Sequence, residues 1–415
     1  MTPFALTFLA ALLATGALRL WLARRHLAHV AAHRGAVPAP FASDISLDAH
    51  QHAADYTIAK TRFAMANVLL DAALALALTF GGGLQLLYDG ASALFGPGIP
   101  RELAFLVLVM LAMTVVELPF SIYRTFVIEQ RFGFNKMTPR LFVIDLVKNL
   151  LVGAVFGLPL AACILWLMER SGERWWIYAW LVWVTFNVVL LAIYPLWIAP
   201  LFNKFSPLDD AELRSRVQRL LERCGFKVKG LMVMDGSRRS SHGNAYFTGF
   251  GKSKRIVFFD TLLTRLEPPE VEAVLAHELG HFRLKHVAKR MAWIFGASLA
   301  FMWLLDFLMH QPWFYEGLGV TSRSTAMALV LFFVIVPSFS FLAQPLLSSY
   351  SRKHEFEADQ YATEHASAGD LVTALVKLYK DNAATLTPDP LHSAFYDSHP
   401  PALQRIRRLQ QAGAA

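Results

Sequence analysis

Residues 141–168 read LFVIDLVKNLLVGAVFGLPLAACILWLM, and only Asp145 and Lys148 carry charge. A helix of this length crosses a bilayer, which takes about 20 predominantly apolar residues. Six further stretches have the same character, near 3–23, 64–88, 102–127, 175–199, 291–310 and 326–348. The chain as a whole agrees. It has 415 residues, 55% hydrophobic and 17% charged, with a mean hydropathy of +0.41. That is too apolar for an ordinary soluble globule. The expected fold is mainly α: seven transmembrane helices plus a small α+β domain built from whatever lies outside them.

The run 3–23 is expected to be a retained first span. It has no basic leader and ends in Arg24-Arg25 instead of a small-residue cleavage site. Gly81-Gly82-Gly83 marks a place where the second span ends or kinks. The net charge of +8 fits basic residues flanking apolar spans better than a nucleic-acid partner, for which no basic-aromatic repeat is present. Two cysteines, Cys163 and Cys224, one in a span and one outside, do not suggest a disulfide.

Four segments follow: 1–199 with spans one to five, an insertion at 200–290, spans six and seven within 291–348, and a tail at 349–415. Two crossings separate insertion from tail, so both lie on one side and can build one site. Loops on that side carry Arg24, Arg25, Arg34, Lys60, Arg62, Arg131, Lys136 and Arg140. The other side carries Arg101, Arg170, Arg174 and Arg323. The positive-inside rule places insertion and tail in the cytoplasm, which in a bacterium means the inner face of the inner membrane. Asp71, Glu117, Asp145, Lys148 and Asp306, in or near spans, should face protein or water. His26, His29, His33, His50 and His52 are too irregularly spaced to favour a second metal site.

In the insertion the pattern predicts a helix over 211–224, strands over 231–234, 244–248 and 255–259, and a turn at 249–252. Pro268-Pro269 then opens a helix running through the pentad His277-Glu278-Leu279-Gly280-His281. Histidines four apart on one helical face can share a zinc ion, with Glu278 as base on a zinc-activated water. A metzincin would continue with glycine and histidine where this chain has Leu284 and Val287. His286, five residues past His281, is about 140° further round an ideal helix and is expected to point elsewhere. The third ligand is sought in the tail, at SRKHEFEAD over 351–359. Glu355 and Asp359 share a helical face. Glu355 can ligate and Asp359 can accept a ligand histidine's second N–H. The bland reading is a solvated charged helix. His354 and Glu357 are rival donors that face away from Asp359.

HELGH together with SRxxEFEAD resembles the CAAX prenyl protease 1 family of integral-membrane zinc metallopeptidases. So do EQRFGFNK at 129–136, IAPLFNKF at 198–205, SSHGNAYF at 240–247 and SHPP at 398–401. The resemblance implies a ring of seven spans around an internal chamber and one zinc ion per chain. It makes Glu355 the third ligand and Asp359 its neighbour in the outer shell. Asn244 and His399 become polar groups near the scissile carbonyl, and Arg405 braces the acidic shell. The strand holding Asn244, Ala245 and Tyr246 binds substrate by its edge; without the resemblance, Asn244 and Tyr246 are equally well read as ordinary strand packing. The expected substrate is a peptide or protein, with or without a prenyl group, cut beside the lipid bilayer. The implied reaction removes the C-terminal tripeptide from a prenylated CAAX protein. Two rival readings are an HtpX-like quality-control protease, which has fewer spans, and a transporter or channel with a structural metal site, which would have no use for Glu278.

Overall fold

The computed structural model describes residues 1–248 and 255–414. The turn expected at 249–252 lies outside the described residues. Among the described residues seven helices are long and apolar enough to cross a membrane: Pro3–His33, Leu47–Leu78, Ile99–Glu129, Pro139–Arg170, Gly172–Phe202, His286–Met309 and the composite Thr325–His365. In lipid only internally hydrogen-bonded backbone is tolerated, so apolar runs of this length become helices. Thr2, Ser46 and Thr138 cap the first, second and fourth at 3.2 Å to the amides of Ala5, Ala49 and Leu141.

Several helices outrun their apolar windows. A 31-residue helix is about 47 Å long, against about 30 Å of hydrocarbon. The surplus of the first two continues as more polar helix, through Arg24 to His33 and from Leu47 to Arg62, with His26, Val30, His50 and Tyr56 buried. The second span ends at Leu78, short of the expected 88. Gly82 adopts a left-handed φ of 75° that glycine alone takes freely, and a separate helix, Gly83–Leu94, follows. Of the span polar groups, Asp71 meets Arg19 at 3.3 Å, Lys148 the Leu201 carbonyl at 2.6 Å and Asp306 the Trp175 indole, whereas Glu117 is exposed on the third span.

Outside the spans sits a four-stranded sheet in the order β1-β2-β4-β3. The strands are β1 (Phe205–Pro207), β2 (Gly230–Met234), β3 (Ala245–Thr248) and β4 (Arg255–Phe259). β2 and β4 are parallel; β1 and β3 add antiparallel at the two edges. β1 was not expected, because three residues ending in proline give no strand pattern. The core beneath holds Val217 and Leu220 of the helix Ala211–Arg223, Ile256 and Phe258 of β4, and Leu275, Ala276 and Leu279.

The sheet is tied to the spans. Arg239 forks onto buried Asp145 of span four at 2.8 and 3.0 Å and reaches Asn203 at 2.9 Å. Asn135 pairs with Ser240 in a short antiparallel bridge. On the tail side, Arg25 at the end of span one grips buried Asp389 at 2.9 and 3.1 Å. The segments after spans one and three thus meet the insertion and tail directly.

Candidate metal centre

Two helices supply the centre. The pentad helix Pro268–Arg283 starts with Glu267 N–H donating to Glu270 Oε2 at 2.8 Å and ends just before span six. The tail helix Gln344–His365 extends span seven after a short 3-10 turn, Phe341–Ala343. One helix therefore directly precedes span six and the other directly extends span seven.

Gly280 lets them touch. A Cβ there would stand 3.0 Å from both Ala358 Cα and Tyr361 Cβ, and 3.1 Å from the Ala358 carbonyl. Alanine would gain about 1 kcal/mol in helix propensity, but overpacking costs about 1–3 kcal/mol, so the clash wins. Gly280→Val should lower the thermal midpoint by several degrees and reduce bound metal, read by scanning calorimetry and elemental analysis. An unchanged midpoint with full metal would show that the helices need not approach so closely.

The close approach brings His277 Nε2 and His281 Nε2 to 3.2 Å of each other. Glu355 lies 3.5 Å from His277 and 3.4 Å from His281. Glu355 Oε2 is buried with no hydrogen-bond partner among the described residues. Three donors converging on one point, with one carboxylate oxygen left unsatisfied, fit a metal ion in a way that a purely structural polar cluster does not.

The rest of the shell holds these groups still. His277 Nδ1 is 2.9 Å from Asp359 Oδ1, and buried Arg405 clasps that carboxylate at 2.7 Å through both Nε and a terminal nitrogen. Burial and the Arg405 guanidinium push His277 down, but the nearby Asp359 and Glu355 carboxylates outweigh them and leave it raised. His281 is lowered to about 3, by burial first and then by His277. Its enclosed position pushes the Glu278 carboxyl above the usual range, and the charge of Glu355 adds to that. A carboxyl raised toward neutrality is a better base.

A cavity of about 110 Å³ gathers Asn244, Ala245, His277, Glu278, His399 and Arg405. His399 Nε2 is 3.5 Å from Glu355 Oε1. Arg352 donates to the carbonyls of Ser393, at 3.1 Å, and Asp397, at 2.8 Å, which fixes the segment leading to His399. Tyr246 is not brought to this cavity. Strand alternation turns its side chain to the opposite face, against Pro195, Pro200 and Asn203. Its backbone stays on β3, whose outer edge pairs with no strand among the described residues.

One expectation is corrected. His286 does not point elsewhere: its Nδ1 lies 3.0 Å from His281 Nδ1. Lys285 takes a left-handed φ of 59°, which ends the pentad helix and makes the ideal-helix extrapolation invalid. His354 and Glu357 join His286, so the rival donors form a group of their own.

Residues 26–204 match the family described as CAAX prenyl protease N-terminal, five membrane helices, and residues 207–412 match peptidase family M48. The chain belongs to the CAAX prenyl protease 1 family. It is 39% identical over 314 residues to a CAAX prenyl protease 1 homolog of Arabidopsis thaliana, covering 75% of this chain and 74% of that one. The mouse homolog is 33% identical over 422 residues, covering 91% and 89%. The crystal structure of S. mikatae Ste24p superposes with a TM-score of 0.92 at 30% identity, covering 99% of each chain. Family membership and the seven spans make this chain a membrane-embedded metallopeptidase; neither the HtpX-like nor the transporter reading is favoured.

Proposed function

We propose that the chain is a zinc endopeptidase that removes the C-terminal tripeptide from prenylated CAAX proteins at the cytoplasmic face of its membrane. The observation that carries this reading is the triad His277, His281 and Glu355, with its unsatisfied carboxylate oxygen, beside the open edge of β3. Donors at about 2.0–2.2 Å from a tetrahedral zinc stand about 3.3–3.6 Å apart, close to the spacings of 3.2–3.5 Å here. Zinc, when bound, would acidify a water and polarise the scissile carbonyl.

The protein does the rest. An extended substrate pairs with the β3 edge through backbone hydrogen bonds, at Ala245 and Tyr246. Asn244 and His399 face the scissile carbonyl, with His399 as the donor to the developing oxyanion. Glu278 takes the proton from the attacking water and passes it to the leaving amine. Asp359 and Arg405 hold His277 in one tautomer. The basic residues concentrated on the insertion's side support a cytoplasmic site.

The substrate is tested by offering the purified, zinc-loaded protein a farnesylated CAAX peptide and its unprenylated twin. The prenylated peptide should be cut with kcat/KM at least ~10-fold higher, about 1.4 kcal/mol of discrimination. Equal cleavage would remove the prenyl-specific reading and favour a general membrane-protein protease.

A further inference from the structure

The two histidines of the pentad are braced differently. His277 donates straight to a buried carboxylate, Asp359. His281 meets another histidine. We propose that His286 is a positioning residue for His281, an imidazole link that joins the ligand ring to the carboxylate of Glu357. This rests on His277, His281 and Glu355 being the metal ligands.

The geometry closes as a chain. His281 Nδ1 is 3.0 Å from His286 Nδ1, and His286 Nε2 is 2.9 Å from Glu357 Oε2. If His281 binds metal through Nε2, its Nδ1 carries hydrogen and donates. His286 then accepts at Nδ1, keeps its hydrogen on Nε2 and donates to Glu357. Both ring nitrogens of His286 are used, and each in a complementary sense. The ring is 4% exposed and stacked on His354 at 4.0 Å between centroids, 6° from parallel. His354 in turn meets Tyr350 edge-on at 4.2 Å. Packing therefore fixes the plane of the ring and hydrogen bonds fix its tautomer. The left-handed turn at Lys285 brings His286 back beside His281 as the first residue of span six. A residue held in so uncommon a conformation persists only where the surroundings demand it.

The donors of His286, His354 and Glu357 also lie close enough together to hold an ion of their own. The shared hydrogen bond speaks against it. A metal on His286 Nε2 would move that ring's hydrogen to Nδ1. Two N–H groups would then face each other at 3.0 Å across to His281.

The test uses the full-length protein in detergent. His286→Phe keeps a ring against His354 and removes both nitrogens. His286→Gln restores an acceptor for His281 and a donor for Glu357. Zinc affinity is read by chelator competition, and ligand geometry by the visible spectrum of the cobalt-substituted protein. His286→Phe should bind zinc about 10–100-fold more weakly, the usual effect of losing an outer-shell partner, with a shifted cobalt spectrum. His286→Gln should recover most of both. Wild-type affinity and spectrum in His286→Phe would overturn the link. So would two metals per chain in the wild type with the second lost in His286→Phe, which would mark a separate site. If His281→Ala also leaves metal binding untouched, the ligand reading itself fails, and the link with it.

Discussion

Glu278→Gln should abolish peptide hydrolysis while leaving the metal in place. Glu278 is not among the three donors that converge at 3.2–3.5 Å; it lines the cavity beside them, facing Asn244 and His399. Glutamine keeps the shape and cannot accept a proton. Enclosure first, with the neighbouring Glu355, raises its carboxyl above the usual range, which suits the proposed role of base. Losing a general base costs about 10²–10⁴-fold in rate. The expected result is full zinc by elemental analysis, unchanged substrate affinity, and kcat lowered by that factor. A variant that retains wild-type kcat would remove Glu278 from the mechanism.

Glu355→Ala should do the opposite and empty the site. In the proposed centre the carboxylate is one of three protein ligands, and two histidines alone would leave a metal poorly held. It also balances charge. Arg405 sits 3.9 Å from Glu355 while clasping Asp359, so removing Glu355 leaves buried positive charge less compensated. Loss of metal affinity should exceed ~100-fold, beyond the 10–100-fold typical of outer-shell partners. Activity should vanish with it, and zinc addition should raise the thermal midpoint of the wild type but not of this variant. Stoichiometric, tightly held zinc in this variant would move the third ligand elsewhere.

Much of this was legible in the sequence, for identifiable reasons. Apolar runs report crossings because lipid offers the backbone no hydrogen bonds. The runs do not report how far a helix continues past them, so Pro3–His33 ends about ten residues after its apolar window and Leu47–Leu78 begins about 17 before its own, roughly three and five turns. The pairing of His277, His281 and Glu355 could be guessed from spacing on two helices. Gly280, which lets those helices meet, looked like an ordinary member of the pentad. His286 was misplaced because helical periodicity was carried through Lys285, and nothing in a lysine announces a left-handed turn. Tyr246 and Ala245 stand side by side in the sequence, yet alternation sends their side chains to different cavities. Arg352 and Arg239 gave no warning of their roles, since a charged residue in a sequence does not name its partner.

The most direct test is anomalous diffraction from crystals of the Glu278→Gln variant, recorded on both sides of the zinc absorption edge. One zinc peak per chain is expected, within bonding distance of His277 Nε2, His281 Nε2 and a Glu355 carboxylate oxygen. A peak bound without Glu355, or seated instead among His286, His354 and Glu357, would contradict the two-helix centre.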